Sequence, residues 1–256
     1  MNFKSKGRPL SDGGIERICD ALSVFEPEIW AILSVESQGF GFLQDRRPKI
    51  FFERHIFHRL TGGEHDTGDS DISNQNPGGY IGGPSGYRRL EKAMELEPGA
   101  ALQSTSWGIG QVMGFNFKSV GFATVNDMVA AMVKDEDAQL LAVENFIKEN
   151  NLAGELQRKN WAAFTRGYNV QHDKNEYDTR LAVAYAKYKV VHPDLALRTA
   201  QAALLYLGID PGPIDGLRGR CTTSAVKQFQ NQAELPETGE LDRDTESKLL
   251  EKAFPA

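Results

Sequence analysis

The sequence predicts a mainly α-helical protein with two domains. Apolar residues recur at intervals of three and four along most of the chain, which is the spacing of one helix face. A proline-containing stretch at 192–194 interrupts this pattern, and a shorter set of helices begins at Leu195. A chain of 256 residues suits one medium domain followed by a small one. We therefore place the domains at 1–191 and 195–256, with a linker at 192–194.

Composition and charge argue against several classes of partner. A formal net charge of -6 gives no basic field, so we expect no nucleic-acid partner. No apolar run approaches the ~18 residues of a membrane span, so we expect no stable membrane insertion. The N-terminal residues are not followed by the apolar core of a signal peptide, so we expect no signal peptide. We interpret Cys19 and Cys221 as reduced structural thiols.

The first two predicted helices lead to a candidate catalytic acid. An amphipathic pattern covers 11–25, and a second helix enters at Pro27 and ends before Gly39, with Glu36 in its last turn. Ile29, Ile32 and Leu33 precede Glu36 at helical spacing, which puts the carboxyl group on the apolar stripe. Apolar surroundings and the negative helix end both disfavour the anion, so the pattern predicts a raised pKa for Glu36. A carboxyl group protonated near neutral pH suits a general acid.

A second acid and several histidines follow in the next predicted helix. Glu53 lies in an apolar run after Pro48, and it is the next candidate for catalysis. His55 and His58 are three residues apart, with His65 nearby, a spacing that could chelate zinc. No complete metal motif surrounds them, so we expect no metal and no cofactor, and we keep zinc chemistry only as an alternative.

The middle of the large domain combines loops with helices. Glycine pairs interrupt the polar stretch 61–87, which we expect to form either a wall of the cleft or a small β-lobe. The stretch 104–114 contains Ser106 and Gln111, and the Gln111 amide offers both a donor and an acceptor to a sugar. Gly108 and Gly110 would allow close approach of backbone or ligand. Further helices are predicted at 86–97, around 124–133 and 140–147, and at 177–191.

The last 60 or so residues resemble the peptidoglycan-binding domain of bacterial and phage wall hydrolases. This resemblance implies a small three-helix module that binds peptidoglycan. One departure is Arg218, where that family usually has an aromatic residue. The matching positions are Gln201, Leu204, Leu207, Gly208, Gly212, Asp215, Gly216, Gly219, Thr222, Ala225, Val226, Phe229, Gln230, Thr238, Gly239, Asp242 and Thr245.

The first 190 or so residues resemble the N-acetylmuramidase catalytic domain of modular phage endolysins, a branch of the lysozyme-like glycosidases. The resemblance implies a lysozyme-like helical fold with Glu36 as general acid. It also implies that Ser106, Gln111, Tyr168 and Asn169 bind substrate. After Asn169 the family usually has glycine, whereas this chain has valine. The segments that carry the resemblance are 35–42, 47–57, 89–94, 106–116 and 167–169.

Together these features predict a peptidoglycan hydrolase that cleaves the β-1,4 bond between N-acetylmuramic acid and N-acetylglucosamine. Glu53 is the candidate second carboxylate, although a structural role for it fits the sequence equally well. A lytic transglycosylase giving 1,6-anhydro products, a zinc amidase and a non-enzymatic wall-binding protein remain alternatives. We expect a monomer that waits in the host cytoplasm until a separate membrane-permeabilising protein releases it to the wall.

Overall fold

A computed structural model describes residues 2–68, 70–79, 82–168 and 174–255. This part of the chain is mainly helical, which confirms the predicted fold class. The helices are α1 (Asp12–Leu22), α2 (Glu26–Ser37), α3 (Arg54–Leu60), α4 (Pro84–Leu96), α5 (Pro98–Gln103), α6 (Val125–Lys134), α7 (Glu136–Glu149), α8 (Ala153–Gln157), α9 (Trp161–Tyr168), α10 (Lys174–Tyr188), α11 (Leu195–Tyr206), α12 (Arg220–Gln232) and α13 (Arg243–Ala253). The strands are β1 (Ile50–Phe52), β2 (Thr105–Trp107) and β3 (Val112–Met113).

Helix α2 is the central helix of the large domain. Pro27 lies in its first turn, and the chain leaves the helix through Gln38 and Gly39, both at positive φ (58° and 80°). The residues from Ile29 to Leu33 are all essentially inaccessible to solvent, so this helix is buried around most of its circumference. It packs along α10 and against α1. The position of Glu36 is therefore fixed by a helix embedded in the core.

The small sheet is formed by residues outside the glycine-rich stretch 61–87. Its order is β1-β2-β3, all antiparallel, and Ser106 on β2 lies opposite Phe51 and Met113. The described residues of 61–79 form turns, bends and irregular backbone. The small β-structure expected in the fold is therefore present, but it does not lie in the described part of that stretch. Gly62 and Gly63 have φ values of 65° and 78°, which are incompatible with a strand, while β1 and β2 are short aromatic and β-branched runs.

The small module contains the three predicted helices, α11, α12 and α13. Its own core is small and includes Leu204, Val226, Phe229 and Leu249. A further apolar cluster joins the module to the large domain and consists of Phe40, Phe42, Ala202 and Ile214. The two domains are therefore packed directly against each other.

The N-terminal segment and the loop before β1 extend this domain contact. The Tyr206 hydroxyl donates a hydrogen bond to the carbonyl oxygen of Gly7 at 2.6 Å. The Arg46 guanidinium lies over the Tyr206 ring at 4.1 Å and donates to the carbonyl oxygens of Lys6 and Ala253. Residues from both ends of the sequence therefore meet at the interface.

Neither cysteine is in a disulfide. Cys19 is partly buried and Cys221 is exposed. Burial, reinforced by the nearby carboxylates of Glu26 and Glu28, raises the pKa of Cys19 to about 12, so its thiol stays protonated. Among the helices in the described ranges, none has the length and apolar character needed to cross a membrane.

Candidate active site

A cleft of about 530 Å³ opens between the C-terminal end of α2, the sheet, and helices α9 and α10. Five of the residues singled out from the sequence line it: Glu36, Glu53, Ser106, Gln111 and Tyr168. Asn169 lies outside the described residues. No described residue of 61–87 lines the cleft, so the described part of that stretch does not form the predicted wall. The other lining residues are Val35, Phe51, Met113, Phe115, Asn116, Phe146, Asn150, Gly167, Glu176, Tyr177 and Arg180.

Glu36 combines burial with access to the cleft. It stands in the last turn of α2, above the fully buried Ile29, Ile32 and Leu33. Burial raises the pKa of Glu36 to about 7, while a hydrogen bond from Tyr177 and the charge of Arg180 act in the opposite direction. Near neutral pH the carboxyl group is thus often protonated, which is the state that a general acid requires.

Tyr177 and Arg180 are site residues that the sequence did not reveal. The Tyr177 hydroxyl donates a hydrogen bond to Oε1 of Glu36. Arg180, one turn further along α10, donates from Nη2 to the carbonyl oxygen of Val35 at 3.2 Å. They lie more than 140 positions from Glu36, so no local motif could reveal the pairing. The sequence indicated only that Tyr177 and Arg180 share one face of a predicted helix, because they are three residues apart.

Glu53 lies at the N-cap position of α3 and is 6 % exposed. Its Oε2 is 3.3 Å from Nδ1 of His55, and its backbone N–H donates to the carbonyl oxygen of Ser104 at 2.9 Å. Burial lowers the pKa of His55, and the charges of Arg59 and Arg54 act in the same direction. Glu53 therefore lines the same cleft as Glu36 and has a local partner, an arrangement compatible with both catalytic and structural roles.

Ser106 and Gln111 form a hydrogen-bonded pair on the sheet side of the cleft. Ser106 Oγ donates to Oε1 of Gln111 at 2.8 Å. Gln111 Nε2 donates to the carbonyl oxygens of Gly108 at 2.8 Å and Lys49 at 3.3 Å. The amide hydrogens of Gln111 are therefore already used within the protein, and its oxygen keeps one acceptor position for a ligand. Donation from Gln111 to a sugar would require one of these hydrogen bonds to break.

Tyr168 connects α9 to the glycine turn beside Gln111. Its hydroxyl donates to the carbonyl oxygen of Gly110 at 3.0 Å, and its ring stacks on Phe164 with centroids 5.1 Å apart. Burial, and then the charge of Glu36, raise the pKa of Tyr168 well above its usual value, so the hydroxyl remains a donor. A Cβ atom on Gly110 would be 2.1 Å from Cγ2 of Val143. The glycine here permits close packing against α7.

The histidines considered for zinc each contact a different neighbouring group. Nδ1 of His58 lies 2.8 Å from Asp66, and the ring of His65 stacks on Phe57 with centroids 5.8 Å apart. His55 pairs with Glu53, as described above. Within the part of the chain that the structure describes, no three His, Cys, Asp or Glu side chains are grouped as a metal site would require.

Comparisons with known proteins match both domains. Residues 26–189 match the N-acetylmuramidase family, and residues 194–249 match a peptidoglycan binding domain. The crystal structure of the Burkholderia AP3 phage endolysin is similar, with 36% sequence identity, a TM-score of 0.65 and coverage of 71% of each chain. Among curated proteins, no significant match was found. Glu36, Glu53, Tyr168 and Tyr177 all fall within the first matched range.

Proposed function

This chain belongs to the N-acetylmuramidase family of glycoside hydrolases, and we propose that it is a phage endolysin in which Glu36 is the general acid. The bond that it cleaves is the β-1,4 linkage between N-acetylmuramic acid and N-acetylglucosamine. The observation that carries the proposal is the position of Glu36 in the cleft with a pKa of about 7. An ordinary exposed glutamate would be ionised at neutral pH and could not donate a proton efficiently.

In the first step the protonated Glu36 donates its proton to the glycosidic oxygen, and the bond to the anomeric carbon breaks. The sugar then carries oxocarbenium character, and Glu36 becomes a carboxylate. The Tyr177 hydroxyl is already bonded to Oε1 of that carboxylate, and Arg180 contributes positive charge nearby. Both groups favour the ionised product of the step, so they assist proton donation without blocking it.

The second step needs a group that completes the reaction at the anomeric carbon. Glu53 is the candidate, either activating a water molecule or acting as a nucleophile. Its position in the same cleft supports this role. The alternative is attack by the C6 hydroxyl of the substrate itself, which would give a 1,6-anhydro product and would make the enzyme a lytic transglycosylase.

Peptidoglycan is the partner of the small module. A second contact with the wall raises the local concentration of glycan near the cleft. We propose that the enzyme acts as a monomer. We further propose that the enzyme is made in the host cytoplasm and reaches the wall after a separate protein permeabilises the membrane. The similarity to a phage endolysin supports this localisation.

The decisive experiment is mass spectrometry of the fragments released from purified sacculi. Reducing N-acetylmuramic acid ends would support the proposal. Anhydro ends would instead indicate transglycosylation, and free peptide stems would indicate an amidase. Glu36→Gln should lower the release rate by ~10²-fold or more, the scale of general acid catalysis. Glu95→Gln, at an exposed position on α4, is the matched control and should behave as the wild type.

A further inference from the structure

Arg198 is a charged residue of the small module that lies wholly inside the protein. It is 0% exposed, and so is its partner Glu136 on α7 of the large domain. Nη1 of Arg198 lies 2.6 Å from Oε2 of Glu136, and Nη2 lies 2.9 Å from Oε1. The pair therefore has the two-pronged geometry in which arginine binds a carboxylate most strongly. It crosses the boundary between the two domains.

Other hydrogen bonds complete the coordination of both charges. Glu136 also accepts from the backbone N–H groups of Leu10 at 2.8 Å and Gly41 at 2.7 Å. Arg198 donates from Nη2 and Nε to the carbonyl oxygen of Gly39, at 2.5 and 3.2 Å. Burying two charges is costly unless their hydrogen-bonding capacity is satisfied, and here most of it is.

These bonds hold the chain directly after Glu36. The carbonyl oxygen of Ser37 accepts from Nζ of Lys49 at 2.7 Å. Two residues later, Gly39 is held by Arg198, and after two more, Gly41 is held by Glu136. Every second backbone unit from Ser37 to Gly41 is thus bonded to a charged side chain.

Arg198 also contacts the body of the catalytic helix. Its guanidinium carbon lies 5.6 Å from the ring centroid of Trp30 on α2 and 5.4 Å from that of Phe40. Its positive charge stands beside the C-terminal end of α2, where the helix dipole is negative. Arg198 therefore restrains α2 in three ways: it bonds to the backbone just after the helix, it lies against the Trp30 ring, and its charge interacts with the helix dipole.

We propose that Arg198 is a positioning residue for catalysis, and that the docked module fixes the end of α2 and with it the orientation of Glu36. The small module is then part of the catalytic apparatus as well as a binding unit. This inference rests on the proposed role of Glu36 as the acid. Small displacements of a catalytic group reduce turnover sharply, by about 10²-fold for a shift near 1 Å.

The test compares Arg198→Lys with Arg243→Lys, an exposed arginine on α13 of the same module. The substrate is a soluble glycan of a few disaccharides purified from sacculi, so that avidity for the wall contributes little. In folded Arg198→Lys we expect kcat to fall about 10- to 100-fold with KM changed by less than about threefold. Binding of the variant to intact sacculi should be unchanged, and Arg243→Lys should match the wild type throughout. A folded Arg198→Lys protein with wild-type kcat would overturn the inference.

A paired substitution covers the case in which Arg198→Lys does not fold. Replacing both charges, as Arg198→Met with Glu136→Met, removes the bonds to Gly39 and Gly41 without leaving a buried charge, and such exchanges often preserve stability. We expect this variant to fold and to show the same loss of kcat. Full turnover by the paired variant would refute positioning. If Glu36 is not the acid, Glu36→Gln will retain activity. That result distinguishes failure of the proposed function from failure of the positioning inference.

Discussion

The hydroxyl of Tyr177 donates a hydrogen bond to Oε1 of Glu36 and thereby joins α10 to the last turn of α2. The bond favours the ionised carboxylate, whereas burial favours the protonated form. The pKa of about 7 is the balance of these opposed effects. Tyr177 therefore adjusts the pH range over which Glu36 can act as an acid.

We expect kcat/KM to be high below pH 7 and to fall about tenfold per pH unit well above it, because Glu36 must carry its proton. Tyr177→Phe removes the bond that lowers the pKa of Glu36, so the descending limb should move to higher pH by about one unit, the scale of a hydrogen bond to a charged group. A pH series with a soluble glycan measures the descending limb of the wild type and of the variant.

Tyr185→Phe is the control for this shift, since Tyr185 lies on the same helix and does not line the cleft. Its pH profile should coincide with that of the wild type. An unshifted limb in a folded Tyr177→Phe protein would show that the hydroxyl does not govern the ionisation of Glu36.

The burial of Glu36 should also affect stability as a function of pH. Its pKa rises from 4.5 to about 7 on folding, so the folded state binds the proton more tightly. Below pH 4.5 Glu36 is protonated in both the folded and the unfolded state, so its burial does not lower the free energy of unfolding. Between pH 4.5 and 7 the free energy of unfolding falls, by at most about 3 kcal/mol. Above pH 7 the contribution of Glu36 no longer changes with pH.

Glu36→Gln lacks this titration, so its free energy of unfolding relative to the wild type should rise through the same pH interval. Urea unfolding at pH 4, 6 and 8 measures the difference. A constant difference across the three values would contradict the raised pKa.

Glu53→Gln tests whether the second carboxylate takes part in the reaction. If Glu53 activates water or attacks the sugar, lytic activity should fall by ~10²-fold or more while the circular dichroism spectrum and melting temperature stay near wild type. If Glu53 serves only the fold, the melting temperature should fall and the remaining folded protein should keep its turnover. The two measurements together separate the roles.

Gly110→Ala should disturb the wall of the cleft by overpacking. The new methyl group would overlap Cγ2 of Val143, which must move, and the destabilisation should be about 1–3 kcal/mol. Val143→Ala in the same chain removes the overlapping atom and should restore part of the loss. Thermal unfolding of the single and double variants checks this, and strictly additive effects would show that the two positions do not interact.

Removal of residues 195–256 should reduce activity on soluble glycans as well as on sacculi. If the module served only to bind peptidoglycan, its loss would affect mainly activity on the intact wall. The structure leads to a different expectation because truncation removes Arg198, which bonds to Gly39 directly after α2, and leaves Glu136 without its ion-pair partner.

Glu136→Gln in the truncated chain removes the unpaired charge and should raise its melting temperature. If the truncated protein has full activity on soluble glycans, the module is only a tether. Differential scanning calorimetry and a soluble-glycan assay provide the two readings.

Local patterns in the sequence were enough to place most of the longer helices and to put Glu36 in the last turn of α2, whereas the short α5 and α8 were not predicted. Pro27, the apolar stripe and Gly39 mark the bounds of α2 because capping and periodicity are local properties. They could not reveal Tyr177, which reaches Glu36 only through the packing of α10 on α2. Arg198 was equally hidden, because a buried arginine in a short helix looks like a surface one until its partner is known.

Glycine patterns were the least informative. The pairs at 62–63 and 78–79 indicated irregular backbone correctly, but they gave no information on where the strands lie. The β1–β2 pairing brings residues 50–52 to 105–107, a register set by distant packing. Gln111 lines the cleft, but its internal hydrogen bonds depend on the turn that it closes and could not be predicted from the sequence.

The buried pair of Arg198 and Glu136 limits how freely the two halves of such an enzyme could be recombined. In a chimera that joined this large domain to a foreign wall-binding module without an equivalent arginine, the Glu136 carboxylate would be buried at the domain interface without an ion-pair partner. Designers of hybrid lytic enzymes would have to transplant both partners or neutralise both, so the natural unit of exchange is larger than the module itself.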